Sequence, residues 1–308
     1  MARLVFFGNE RLATGVTTTA PVLQSLLAAG HEVAAIVVAQ EASGQSRKQR
    51  PLEVAAIAEQ HGILLLAPAK LSEISERLSS LKADAGILVA YGKLVPQSII
   101  DIFPRGIVNL HPSLLPLHRG SIPLEATILQ GDAETGVSLM QLVREMDAGP
   151  VYSQQSVVLK GDETKQTLAD TLVAVGIVML NKNLPQILDG SLQPTPQPAA
   201  GATYDQRLSK DAGVLDGAAW DQPAAAIERM VRGFAGWPRV RTTIGGISVI
   251  ITAAHVTEGL GIPGSVWNEA KQFGIHAQDA VVVIDALIPA GKKEMSGRDF
   301  MLGYKLAN

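Results

Sequence analysis

The 308-residue sequence predicts an α/β domain built on a doubly wound, mainly parallel sheet, followed by a second, smaller all-β domain. Three observations predict it. Short apolar runs alternate with amphipathic segments through the first part of the chain, as buried strands alternate with crossover helices. A proline-studded stretch follows residue 190. Beyond it the sequence breaks into short strand-like pieces separated by glycines.

The apolar runs at 4–7, 33–38, 63–66, 85–90 and 107–110 read as strands buried on both faces. Between them, 21–29 and 52–60 read as helices, with Gly30 and Gly62 as stop signals. This βαβ rhythm is that of a Rossmann-like sheet, in which ligands lie beyond the carboxyl ends of the strands. The turn from Gly8 to Gly15 lacks the G-x-G-x-x-G spacing, which argues against a nicotinamide dehydrogenase. A long helix is predicted over 164–188, closed by Asp189 and Gly190. The prolines at 194, 196 and 198 then favour an extended, semi-rigid connector. The expected division is therefore a first domain over 1–189, a Pro-rich linker over 190–205 and a second domain over 206–308. In the last, strand-like pieces at 240–243, 247–253, 264–267, 275–277 and 281–288 suggest a small OB-like β-barrel.

Composition narrows the function classes. A hydrophobic content of 47% can fill two cores, and 18% charged residues is too few for a largely disordered chain. Cysteine is absent, which excludes disulfides and thiolate zinc sites, and no metal site is expected. The first residues read as a buried strand rather than a secretory segment, and no run approaches the eighteen or so apolar residues of a membrane helix. A cytoplasmic monomer without membrane contact is the expectation. The net charge of −3 is unevenly spread: residues 1–205 carry 15 Lys and Arg against 19 Asp and Glu, whereas 206–308 carry 11 against 10. A basic patch on the second part is thus compatible with the count.

The most informative stretch begins at Ile107-Val108-Asn109-Leu110-His111, which alternates apolar and polar residues as a strand does. Asn109 and His111 then leave the same side, and Pro112 ends the ladder for want of an amide hydrogen. An amide and an imidazole side by side at a strand exit can both donate to a developing oxyanion, and the imidazole can also move a proton. Asp147, in a loop shaped by Gly149 and Pro150, is placed to orient and charge-stabilise His111. Taken one at a time, Asn109 and Asp147 read as turn residues and His111 as a satisfied strand-end histidine; the combination reverses that preference. His31, His61, His255 and His276 have no ligand-like spacing. His118 lies within the active segment, and its neighbour Arg119 suits a phosphate, a carboxylate or the start of a helix.

Asn109-x-His111-x-Ser113-Leu114-Leu115-Pro116, followed some thirty residues later by Asp147-x-Gly149, resembles the core of the folate-dependent formyltransferases. The resemblance implies that Asn109, His111 and Asp147 are catalytic, and that Ser113, Leu114, Leu115, Pro116, Tyr91 and Gly92 shape a pocket for 10-formyltetrahydrofolate. Two further segments, Tyr204 to Asp211 with Gly236-Trp237-Pro238, and Pro289 to Ser296, resemble the C-terminal domain of the branch that acts on methionyl-tRNA. This extends the likeness over nearly the whole chain. It implies formyl transfer to the α-amine of methionyl initiator tRNA for translation initiation, with Arg47, Lys48, Arg50, Lys292 and Lys293 meeting the tRNA. Two stretches depart from the family pattern. Gly8-Asn9-Glu10-Arg11 stands where Gly-Thr-Pro and an aromatic are usual, and the basic loop at 44–50 is short and keeps three cations.

Overall fold

The computed structural model describes residues 1–39, 52–198, 200–269 and 271–304, and these form two compact units. The first comprises residues 1–124, 134–159 and 166–206; the second comprises 125–133, 160–165 and 207–308.

In chain order the first part runs β1 (Arg3–Gly8), α1 (Pro21–Ala28), β2 (Glu32–Val37), α2 (Glu53–His61), β3 (Leu64–Leu66), α3 (Ser75–Ser80), β4 (Ala85–Val89), α4 (Gln97–Ile100) and β5 (Ile107–His111). It continues through β6 (Arg119–Gly120), α5 (Pro123–Gln130), β7 (Glu134–Gln141), β8 (Val151–Val158), α6 (Lys165–Asp189) and β9 (Tyr204–Asp205). The main sheet has the order β3-β2-β1-β4-β5-β7-β8. Its first five strands pair in parallel, and β7 and β8 extend it antiparallel. β7 is buried through Val137, Leu139 and Met140, whereas β8 carries no strong apolar signal. β8 is an edge strand whose central residues are exposed, so Gln154, Gln155 and Ser156 break the run of hydrophobics that marked the others.

Helix α6 has 25 residues and, by length and composition, is apolar enough to cross a bilayer, contrary to the expectation that no run would be. Its burial is against protein. Leu168, Leu172, Leu180 and Leu184 are buried, and a side chain at Gly176 would collide with Leu110 of β5. The helix therefore covers the strand that carries Asn109 and His111.

The second unit contains α7 (Ala224–Gly233), β10 (Val240–Ile244), β11 (Ile247–Thr257), β12 (Val266–Glu269), β13 (Gln272–His276), β14 (Val281–Pro289), β15 (Met295–Ser296) and α8 (Gly297–Tyr304). Its antiparallel sheet follows the order β10-β11-β14-β13-β12, with β15 paired to β14. Trp220, Ile227, Phe234, Phe273 and Phe300 are among the side chains that fill its core. Among the described residues this path is open, and the expected OB-like barrel does not close. The spacing of turns specifies which consecutive strands are neighbours. Closure depends on shear and tilt, which local sequence does not carry.

Two buried ionisable groups hold local geometry. Glu10, 1% exposed, accepts the backbone N–H groups of Val22 (2.9 Å) and Leu23 (2.7 Å) at the start of α1, where no N-cap side chain does so. Burial pushes its carboxyl up to about 7, and the two amide bonds oppose that rise without cancelling it. In the second unit, Lys165 (1% exposed) donates to Glu125 Oε1 at 3.3 Å and to the Trp237 carbonyl at 2.9 Å. Burial lowers the lysine and raises the glutamate, each against the pull of its partner.

Lys165→Met should therefore cost about 3–5 kcal/mol by leaving the Glu125 carboxylate buried without its cation, and Lys165→Met combined with Glu125→Leu should recover most of that deficit. Urea unfolding of the three proteins measures this; a single variant as stable as the parent contradicts it. For Glu10 the folded-state value lies above the ordinary 4.5, so its contribution is full below pH 4.5 and declines as pH rises through about 7. Between pH 5 and pH 8 the parent should lose about 2–3 kcal/mol more stability than Glu10→Gln. Parallel stability curves for the two proteins would show that Glu10 does not titrate in this range.

Candidate active site

β5 lies between β4 and β7, with Leu88 opposite Asn109 on one side and Met140 and Ser138 opposite Asn109 and His111 on the other. Five consecutive buried residues make this strand a rigid base, and Asn109 and His111 are 5% and 4% exposed. They sit at the carboxyl end of a central strand, where the polypeptide leaves the sheet and groups can converge on a ligand.

The segment after Pro112 is folded back by polar contacts. Ser138 Oγ donates to the Ser113 carbonyl at 2.6 Å and accepts from Leu115 N–H at 3.1 Å. Gln154 Nε2 donates to the Leu115 carbonyl at 2.7 Å and to Ser138 Oγ at 2.9 Å. Ser113 Oγ donates to the Leu117 carbonyl at 2.6 Å, and the Leu115–Pro116 peptide is cis. Ser113 and Leu115 are thus structural supports of the turn, fully or nearly buried, while Leu114 and Pro116 stay partly accessible. Tyr91 ends buried, its ring edge-on to Phe7 at 5.9 Å, and burial pushes its phenol up to about 12. Gly92, with φ +75°, is exposed at the adjacent turn. Of this group, Gly92, Leu114 and Pro116 keep accessible surface.

The fold-back brings His118 next to His111. His111 Nε2 lies 3.0 Å from the His118 carbonyl, and since a carbonyl only accepts, Nε2 carries the hydrogen. Nδ1 is then the nitrogen that faces Asp147, at 3.7 Å from Oδ1. That is an ion-pair separation rather than a hydrogen bond, so Nδ1 keeps the capacity to take or give a proton. Asp147 Oδ2 accepts Gly120 N–H at 2.8 Å, which fixes the carboxylate independently of the imidazole. Among the described residues, nothing hydrogen-bonds to the Asn109 side-chain amide.

Asp147 adopts φ +48°, a left-handed conformation that a non-glycine residue rarely holds without support. Gly149 is required two residues on, because a side chain there would collide with the Gln141 carbonyl. His118, buried, pairs through Nδ1 with Asp205 at 2.9 Å, and Arg119, 7% exposed, donates to Gln197 and to the Tyr204 hydroxyl. Both residues are therefore engaged with the stretch that follows α6, which had no local mark in the sequence: the partners lie 78 to 87 residues away. The roles of Glu10 and Gln154 escaped sequence reading because their partners, 12 to 39 residues away, meet them only in the folded chain. In the departing turn after β1, Arg11 pairs with Glu53 at 2.9 Å.

Lys292 and Lys293 are exposed in the turn between β14 and β15, without an ion pair among the described residues. Arg47, Lys48 and Arg50 lie outside the described residues. No group of His, Asp and Glu suited to a metal ion occurs among the described residues.

Residues 3–182 match the formyl transferase family, and residues 207–305 match the formyl transferase C-terminal domain. The chain is 34% identical over 304 residues to a methionyl-tRNA formyltransferase of Roseobacter denitrificans, covering 98% of this chain and 95% of that protein. It is 35% identical over 306 residues to one of Magnetococcus marinus, with the same coverage. Among solved structures, HypX of Aquifex aeolicus with tetrahydrofolic acid aligns over 98% of this chain and 47% of its own, at TM-score 0.65 and 18% identity. An N-formyltransferase of Helicobacter canadensis with folinic acid and dTDP-3-aminofucose aligns over 92% of this chain and 99% of its own, at TM-score 0.67 and 16% identity. These two likenesses are of fold. With its N-terminal match spanning more than half of its length and relatives above 30% identity over almost all of it, the chain belongs to the formyl transferase family.

Proposed function

We propose that this protein transfers a formyl group from 10-formyltetrahydrofolate to the α-amine of methionyl initiator tRNA, as a cytoplasmic monomer serving translation initiation. The observation that carries the reading is the convergence of Asn109, His111 and Asp147 at the exit of β5, in a chain whose full-length relatives are methionyl-tRNA formyltransferases. Residues 1–189 form the catalytic part, 190–205 the connection and 206–308 the part that holds tRNA.

The chemistry follows from the groups present. A free α-amine has a pKa of roughly 7.7–8.0, and an adjacent ester lowers it, so a neutral nucleophile is abundant near pH 7. No strong base is needed. The site must hold the amine against the formyl carbon and stabilise the oxygen that becomes negative as the new C–N bond forms. Asn109 donates to that oxygen from its side-chain amide. His111, with Nε2–H committed to the His118 carbonyl, acts through Nδ1: it takes the proton released by the attacking amine and returns it to the folate nitrogen as the bond from that nitrogen to the formyl carbon breaks. Asp147 stabilises the transient imidazolium from 3.7 Å. The pterin-bearing co-substrate fits against Gly92 and the Leu114 to Pro116 turn, where backbone and apolar edges remain accessible.

A formyl-transfer assay comparing charged initiator tRNA, charged elongator tRNA and nucleotide-linked amino sugars tests the reading; transfer to the sugar in preference to the initiator tRNA overturns it. His111→Ala and Asp147→Ala should each lower turnover by about a hundredfold to ten-thousandfold in a folded protein. Asn109→Ala should lower it by about a hundredfold to a thousandfold. Near-parental turnover in all three would remove the trio from the chemistry. For the tRNA interface, replacing Lys292 and Lys293 with alanine should weaken tRNA binding and leave folate binding unchanged. The log–log salt dependence should flatten by about one unit for each phosphate that no longer meets a cation. Unchanged affinity and slope would mean that these lysines only solvate a turn.

A further inference from the structure

We infer that Gln197 is a positioning residue for the reaction, acting from the stretch after α6 to hold the Asp147 loop in its working conformation. The inference rests on the proposed role of Asp147 beside His111 and extends it to a residue 50 positions away.

The side-chain amide of Gln197 is fully engaged. Nε2 donates to the Asp147 carbonyl at 2.8 Å and to the Gly149 carbonyl at 2.7 Å. Oε1 accepts from Arg119 Nε at 3.1 Å and Nη2 at 2.7 Å. A guanidinium only donates and a carbonyl only accepts, so the amide has one orientation that satisfies all four partners. The two carbonyls it holds flank the turn in which Asp147 takes its left-handed φ of +48°. Such a conformation persists only where its surroundings over-determine it. Gly120 fixes the carboxylate, and Gln197 fixes the backbone behind it.

The strap that carries Gln197 is itself held. Thr195 exchanges two 2.8 Å backbone hydrogen bonds with Val151 just past the Asp147 loop, and Arg119 N–H donates to the Thr203 carbonyl at 3.0 Å. Prolines at 196 and 198 restrict the backbone on either side, Pro198 favouring an extended Gln197, so little entropy is lost in presenting the amide. A glutamate at this position would keep the acceptor for Arg119 and place an oxygen against two carbonyl oxygens. A methionine would fill the space with neither donor nor acceptor.

The test uses the full chain in single-turnover formyl transfer from 10-formyltetrahydrofolate to charged initiator tRNA. The proteins are the parent, Gln197→Met, Gln197→Glu, Asp147→Ala, Gln197→Met with Asp147→Ala, and Gln193→Ala as a strap variant whose exposed side chain donates to the Gly190 carbonyl. Both Gln197 variants should fall about tenfold to a hundredfold in rate, as for a displacement near 1 Å of a catalytic group, while KM for either substrate moves by less than about threefold. Gln197→Met should add nothing further in the Asp147→Ala background, whereas a general structural role would lower both rates alike. Gln193→Ala should match the parent. Should Gln197→Met fail to fold, Gln197→Glu keeps the acceptor for Arg119 and carries the comparison. Rates near the parent's in the Gln197 variants, with Asp147→Ala impaired, overturn the positioning role alone, as does a full multiplicative decrease in the double variant. Parental turnover in Asp147→Ala overturns the assigned role of Asp147, and this inference with it.

Discussion

The site depends on the fixing of one carboxylate. Asp147 stands 3.7 Å from His111 Nδ1 and takes Gly120 N–H on its other oxygen. The separation is too long for a hydrogen bond and leaves the imidazole nitrogen unclaimed. The backbone strain at Asp147 is the cost of this placement, and the polar partners around it offset that cost.

His111 is constrained from the opposite side. Because the His118 carbonyl accepts from Nε2, the tautomer is set by the backbone fold rather than by the substrate. The fold-back that delivers this carbonyl relies on Ser138 and Gln154, side chains of the antiparallel strands β7 and β8. Those strands extend the parallel sheet beyond β5 and thereby turn an ordinary strand exit into a walled site. A parallel neighbour would need a crossover of a dozen or more residues, whereas β7 and β8 are joined by the short loop that contains Asp147.

The second unit uses a different kind of constraint. The Lys165 ammonium bridges the Glu125 carboxylate and the Trp237 carbonyl, joining three chain segments at one buried point. Buried ion pairs contribute little net stability against an apolar alternative, but they impose one arrangement, since each partner is costly alone. The Gly236-Trp237-Pro238 segment, visible in the sequence as a likeness to the C-terminal domain, is anchored in this way.

The sequence by itself determined the five parallel strands and their order of appearance, because each is written as a short apolar run, buried in β1, β4 and β5 and half-exposed in the edge strand β3, and it marked α1 and α2 by their glycine stops. It also placed Asn109 and His111 on one side of β5, since alternation is a property of the strand alone. The tertiary structure decided everything that depends on pairing across distance. It extended the sheet through the buried strand β7 and set β8 at the edge, where exposure erases that strand's apolar signal, and it left the second sheet open where turn spacing had suggested closure. It gave His111 its tautomer, and it drew His118, Arg119 and Asp147 toward Asp205, Tyr204 and Gln197. A proline-rich stretch reads locally as a connector. Only the folded chain shows it lying along the Asp147 loop, because hydrogen bonds between residues 50 to 87 positions apart leave no period or spacing for the sequence to display.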